Sequence, residues 1–181
     1  MANIDMNGYA WTPLTLAHST YDGNGYTISN LNCVKTSAGQ SAFVAGFGAT
    51  VKNLTLHNVT AQGWQAAAFI ANNQGSGSIV NCKLSGTVEI TYEKADDGWG
   101  AIGVFYAVNR TNESIQGCEV LEGTTITLNL NGLEQSQTGC KLGGEMKDLW
   151  VGWGETATDT ESFAGKIATI TTNGVTITVN E

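Results

Sequence analysis

Hydrophobic and polar residues follow a short frame that returns along the chain: apolar, free, Asn-like, apolar, free, apolar. It stands clearest at Val51-Lys52-Asn53-Leu54-Thr55-Leu56 and appears also at Ile28–Cys33, Ile79–Leu84, Ile115–Val120 and, more worn, Met146–Val151. The last four residues of each copy alternate with period two, the signature of a half-buried strand. The copies start 23, 28, 36 and 31 residues apart, a spacing suited to stacked repeats. A second, small-plus-aromatic run precedes the later copies: Ala42-Phe43-Val44-Ala45-Gly46, Ala68-Phe69-Ile70-Ala71 and Gly103-Val104-Phe105-Tyr106, with Gly139–Gly143 as a faded version.

Neither kind of strand can bury its apolar side alone. Stacked in parallel, the copies place Ile28, Val51, Ile79, Ile115 and Met146 in one inward column. Leu31, Leu54, Cys82, Cys118 and Leu149 form a second column, and Cys33, Leu56, Leu84, Val120 and Val151 a third. Crossovers between parallel strands are right-handed. The expected fold is therefore an all-β, short right-handed parallel β-helix (a solenoid) of about five rungs. It forms a single domain over 1–181: an N-terminal cap over 1–26, repeat rungs over 27–151 and a capping β-hairpin over 164–181 around Asn173-Gly174.

Composition narrows the partners. With 23 Gly, one Pro and charge at 13%, the 181-residue chain reads as β-rich and folded. Eight Lys and Arg against 16 Asp and Glu give a net charge of −8. A chain so acidic lacks the basic patch that nucleic acid or an anionic membrane requires. No apolar run reaches the ~20 residues of a membrane span. Met1-Ala2-Asn3-Ile4-Asp5 has neither the basic region nor the apolar core of a secretory leader. That leaves a mature domain without its leader, or a protein made in the cytoplasm and used in a particle.

The run Trp11-Thr12-Pro13-Leu14, then Tyr21-Asp22-Gly23-Asn24-Gly25-Tyr26-Thr27-Ile28-Ser29-Asn30-Leu31, an Ala/Gly-Phe run and Val51-Lys52-Asn53-Leu54 resembles the GLUG-motif repeats. Those repeats occur in bacterial surface proteins, mainly of gut Bacteroidetes, and beside the catalytic region of IgA-cleaving metallopeptidases. The resemblance covers residues 9–88 well, 98–121 fairly and 138–151 weakly. It departs where Gly-Leu-Phe-Gly becomes Ala-Phe-Val-Ala-Gly and where His gives way to Tyr26. It implies a β-helical, non-catalytic, adhesin-like surface module, and it brings no catalytic residues with it.

The chemistry-bearing residues each have a structural reading beside the functional one. Cys33, Cys82 and Cys118 take inward places that Leu or Val holds elsewhere, so they read as buried thiols; no Cys/His cluster suggests a metal. Asn30, Asn53 and Asn81, continued by Gly117 and Asp148, read as a corner column. His18 and His57 have no inferable Ser, Cys or Asp partner. No catalytic residue, metal ligand or cofactor site is expected. The aromatic residues carry the binding hint: Trp150 and Trp153 in or after an outward column, Trp64 and Trp99 at equivalent places in adjacent repeats, and Tyr92 in the 88–98 insertion. As structural residues, Trp64 and Trp99 would fill a corner and Trp150 would pack under the cap. Thr-x-Thr pairs at 125/127, 169/171 and 176/178 do not follow the repeat frame, which argues against an ice-binding face.

The expected function is therefore non-catalytic attachment or recognition of a carbohydrate or protein surface ligand, extracellular or at the cell surface. The alternatives are a structural or host-binding component of a phage particle, placed in the virion, and a glycan-active lyase or hydrolase. These residues leave the ligand's identity and the oligomeric state open.

Overall fold

A computed structural model describes residues 2–73, 77–94, 100–109, 115–131, 139–141, 150–152, 168–172 and 174–180. The fold is all-β, with no helix among the described residues. The largest sheet contains β1 (Ile4–Asp5), β2 (Ala10–Trp11), β4 (Thr27–Cys33), β7 (Thr55–Gly63), β11 (Lys83–Tyr92), β15 (Glu119–Val120), β16 (Thr125–Asn129), β19 (Ala168–Thr172) and β20 (Val175–Asn180). Its main path runs β1-β4-β7-β11-β16-β20-β19, and every pairing except β19–β20 is parallel.

A second sheet holds β3 (Thr20–Asp22), β6 (Thr50–Lys52), β10 (Ser78–Val80) and β14 (Ile115–Gln116). A third joins β5 (Gln40–Ser41), β8 (Gln65–Ala67) and β12 (Ala101–Gly103), and a fourth joins β9 (Ile70–Asn73) and β13 (Tyr106–Asn109). The chain visits these sheets in a constant order: second, largest, third, fourth, then second again. Successive circuits lie beside one another in parallel, which is a β-helix-like arrangement.

Register settles which repeats are equivalent. Tyr21, Val51, Ile79 and Ile115 share a column, as do Leu54, Cys82 and Cys118, and Leu56, Leu84 and Val120. Ile28 does not belong with Val51: it pairs with Ile4 on one side and Leu56 on the other, while Leu31 pairs with Val59 and Cys33 with Ala61. The cause is a frame that occurs twice in one circuit. Leu56-His57-Asn58-Val59-Thr60-Ala61 repeats the pattern of Val51–Leu56 five residues later, and Ile28–Cys33 is the partner of that second occurrence. Residues 4–22 also already pair within the stacked sheets.

Both occurrences of the frame mark corners, because its Asn residues adopt left-handed backbone. Asn53 and Asn81 have φ of 53° and 52°, continued by Gly117 at 60°. Asn30 and Asn58 have φ of 57° and 56°, continued by Gly86 at 76°. Asn tolerates this conformation because its short amide bonds locally, whereas most residues pay about 1–2 kcal/mol. The amides also link circuits: Asn58 Nδ2 donates to Asn30 Oδ1 at 2.9 Å, and Asn30 Nδ2 donates to Asp5 Oδ1 at 2.8 Å. At the other corner Asn53 Nδ2 donates to Asp22 Oδ1 at 3.1 Å.

Inside, Ile28, Leu56, Leu84, Val59, Val88, Ile90, Ile126 and Leu128 are buried with Phe43, Phe69 and Phe105. Phe69 and Phe105 stack at 5.6 Å, and Trp11 lies on Phe43 at 5.1 Å while its Nε1 donates to the Phe43 carbonyl. Cys33, Cys82 and Cys118 are free buried thiols. Burial pushes the Cys33 thiol up; the Cys82 thiol is raised first by its hydrogen bond with Cys118 and then by burial.

At the C-terminal end the hairpin forms, but within the largest sheet: β20 continues the parallel stack on β16, and β19 returns antiparallel at the edge. The last repeat copy is different. β17 (Gly139–Lys141) and β18 (Trp150–Gly152) pair antiparallel, with Cys140 opposite Val151, so Val151 does not stack on Val120. Met146, Asp148 and Leu149 lie outside the described residues.

Two outcomes are expected. Asn58→Ala will lower stability by about 1–2 kcal/mol, and Asn58→Gly by less, because glycine retains the left-handed backbone; urea unfolding measures both. Hydrogen bonds from the Asn30 amide and the Asn7 backbone hold the Asp5 carboxyl low; those from the Asn24 backbone and the Asn53 amide, with Lys52, do so for Asp22. A carboxyl held low stabilises the fold above its unfolded value and loses that contribution as the pH falls through the folded value. Stability will therefore fall below about pH 4, and Asp22→Asn will flatten that fall in urea titrations across pH.

Candidate functional site

The corner after β7 carries an indole where its neighbours carry glycine. Gln65 pairs with Ala101 and with Gln40, so Trp64 stands in register between Gly39 and Gly100. The Trp64 N–H donates to the Gly39 carbonyl at 3.0 Å, and the Ala101 N–H donates to the Trp64 carbonyl at 2.8 Å. A Cβ on Gly39, whose φ is +70°, would sit 1.3 Å from Trp64 Cδ1. The Cδ1–Nε1 edge of the ring therefore abuts that glycine, and the side chain is half-buried against the core.

Around this ring the ends of three adjacent strands form a groove. Lys35 follows β4 and Glu93 follows β11, on opposite sides of β7, and Lys35 Nζ donates to Glu93 Oε1. On one side of this ion pair lies a cavity of about 420 Å³ lined by Thr36, Ser37, Gly39, Trp64 and Lys94. On the other lies one of about 330 Å³ lined by Asn32, Cys33, Val34, Thr60 and Gln62. Lys35 and Glu93 line both, so the two cavities are halves of one groove. Its first wall is the tight turn at 36–40, closed by the Gly39 N–H on the Thr36 carbonyl at 2.9 Å.

Among the described residues, Trp64 is the aromatic candidate placed at this groove. Tyr92 is a core residue, 2% exposed, with its ring beneath Gly100. Trp99 and Trp153 lie outside the described residues; for Trp150 the structure describes the strand and not the side chain. Register makes Gly100, and not Trp99, the counterpart of Trp64. Glu93 and Lys94 are charged residues of the 88–98 segment, in which Asp96 and Asp97 lie outside the described residues. Asn32, Lys35, Thr36, Ser37, Thr60 and Gln62 carried no signal, because only the pairing of β4 with β7 brings them together.

Two further polar arrangements lie outside the groove. His57 Nδ1 and Ser85 Oγ are 3.0 Å apart on the outward face of the largest sheet, a partnership the sequence did not disclose. The Thr-x-Thr pairs are in register after all: Thr125 and Thr127 pair with Thr176 and Thr178, which pair with Thr171 and Thr169. Their row is broken by Glu89, and the amides beside it are internally bonded, Asn180 Nδ2 to Asn129 Oδ1 and Asn129 Nδ2 to Glu89 Oε1 and Thr91 Oγ1. Among the described residues no three His, Cys, Asp or Glu converge, and no helix is long and apolar enough to cross a membrane.

No protein-family model, curated protein or solved structure matches this chain.

Gly39→Ala will displace the Trp64 ring and cost about 1–3 kcal/mol, combining a left-handed alanine with overpacking. Urea unfolding and the near-ultraviolet dichroism of the indole measure this change.

Proposed function

We propose that the chain is a short right-handed parallel β-helix of about five rungs that serves as a non-catalytic attachment or recognition module at a cell surface. The observation that carries this reading is the groove: a half-buried indole, hydroxyls, amides and an ion pair held on the ends of stacked strands. Such a surface brings part of an indole and several polar groups together, the usual make-up of a small-ligand site. The right-handed crossover preference and the constant order of the sheets support the helix. The resemblance of residues 9–88 to the GLUG-motif repeats supports a bacterial surface context.

A glycan-active enzyme is the less favoured reading. Glycoside chemistry requires two carboxyl groups across the scissile bond. Among the described lining residues Glu93 is the one carboxylate, and Lys35 holds it. The test is retention of the purified chain on immobilised mucin, plant cell-wall polysaccharides and bacterial cells, with a reducing-end assay on the same polysaccharides. Saturable retention without new reducing ends is expected. Absence of retention on every surface, or release of reducing ends, would overturn the reading.

A further inference from the structure

We infer that Cys82 and Cys118 are a site of covalent modification: a small-molecule disulfide oxidises the two thiols to an intramolecular disulfide that ties one circuit of the stack to the next. This goes beyond the recognition reading and holds whatever the groove binds.

Register brings the two sulfurs together. Ile79 pairs with Ile115 and Leu84 with Val120, so Cys82 and Cys118 lie side by side in one inward column. Each directly follows a left-handed corner residue, Asn81 at φ 52° and Gly117 at 60°. The Asn81 N–H donates to the Gln116 carbonyl at 2.8 Å and the Glu119 N–H to the Cys82 carbonyl at 3.0 Å, so the backbone is fixed on both sides of the pair. Paired strands stand ~4.8 Å apart, within the Cα separation of about 4.4–6.8 Å that a disulfide spans. The Cys118 sulfur already leans onto its neighbour's circuit, with Sγ donating to the Ile79 carbonyl at 3.4 Å. Cys82 Sγ donates the other way, to the Val51 carbonyl at 3.6 Å, and must turn back about χ1. A thiol is a weak donor, so that bond resists the turn only slightly.

Access comes from the edge of the second sheet. Among the described residues β14 ends that sheet and pairs with β10 alone. Cys118 follows it and is 6% exposed, whereas Cys82 is fully buried. Opening of so short an edge strand therefore reaches Cys118 first. The hydrogen bond from Cys82 holds the Cys118 thiol below its usual range, which favours Cys118 as the attacking sulfur.

Oxidised glutathione is an oxidant of the required class. The Cys118 thiolate attacks one of its sulfurs, the sulfur–sulfur bond of the oxidant breaks, and one glutathione thiolate leaves. Cys82 then attacks Cys118 Sγ in the mixed disulfide, the second glutathione leaves, and the Cys82–Cys118 bond forms. The two protein thiols lose two electrons and two protons, and the two glutathione thiols gain them. The other cysteines have no such neighbour among the described residues. Cys33 stands in register between Trp11 and Ala61, and burial pushes its thiol up. Cys140 lies opposite Val151 in β17.

The test is incubation of the full chain with oxidised glutathione, followed by thiol counting in denaturant and peptide mapping by mass spectrometry without reduction. Free thiols are expected to fall from four to two, with the monomer lighter by two hydrogen atoms and the linked peptides carrying Cys82 and Cys118. The bond closes residues 82–118 into a loop, so the oxidised chain is expected to melt about 5–10 °C above the reduced one. Cys118→Ala is expected to abolish both the bond and the rise, and the double variant Cys33→Ser, Cys140→Ser to keep both. Should either variant fail to fold, mapping on the unsubstituted chain carries the test. Four surviving thiols, a stable glutathione adduct, linkage only between chains, a bond mapped to Cys33 or Cys140, or a rise that persists in folded Cys118→Ala would overturn the inference.

Discussion

In a parallel stack, the amides and carbonyls of each strand are satisfied by the circuits before and after it in the chain. That requirement locks the register of every circuit to its neighbour, and the corners must then repeat as well. Here they do so through left-handed residues at two corners, Asn53, Asn81 and Gly117 at one and Asn30, Asn58 and Gly86 at the other. A side-chain amide that can bond to the next circuit turns the strained corner into a cross-link, as the Asp5–Asn30–Asn58 ladder shows. The hydrophobic columns follow from this register, because a slip of one residue would turn every inward side chain outward.

The groove is a consequence of the same constraint. A bulky indole can occupy a corner only where the neighbouring circuit leaves room, and Gly39 does so for Trp64, as Gly100 does for the Tyr92 ring. Both edges of β7 are committed to its neighbours β4 and β11. The Lys35–Glu93 pair joins strands on either side of β7, and being half-exposed it contributes little to stability.

Much of the architecture was legible in local pattern. Period-two alternation identified the strands, and the columns Val51–Ile79–Ile115 and Leu54–Cys82–Cys118 followed from repeat spacing alone. The hairpin between β19 and β20 was marked by Asn173-Gly174. The first copy was misplaced because Ile28–Cys33 fits both corners of a circuit equally well, and only pairing with Leu56 rather than Val51 separates them. The same offset hid the meeting of Asn32 with Thr60, and hence half of the groove. Trp64 was legible as an aromatic beside glycine; Lys35, Ser37 and Gln62 were ordinary polar residues until strand order gathered them.

By itself the sequence determined that this chain forms strands, stacks them in parallel and turns at Asn and Gly. Those properties depend on neighbouring residues, on side-chain period and backbone preference, and they survive wherever the strands are placed. Tertiary structure decided which copy faces which, that Thr125 and Thr176 share a row, that β17 and β18 run antiparallel, and that Trp64 shares a groove with Lys35 and Glu93. Those outcomes depend on hydrogen-bond register between segments about thirty or more residues apart, which no local pattern encodes.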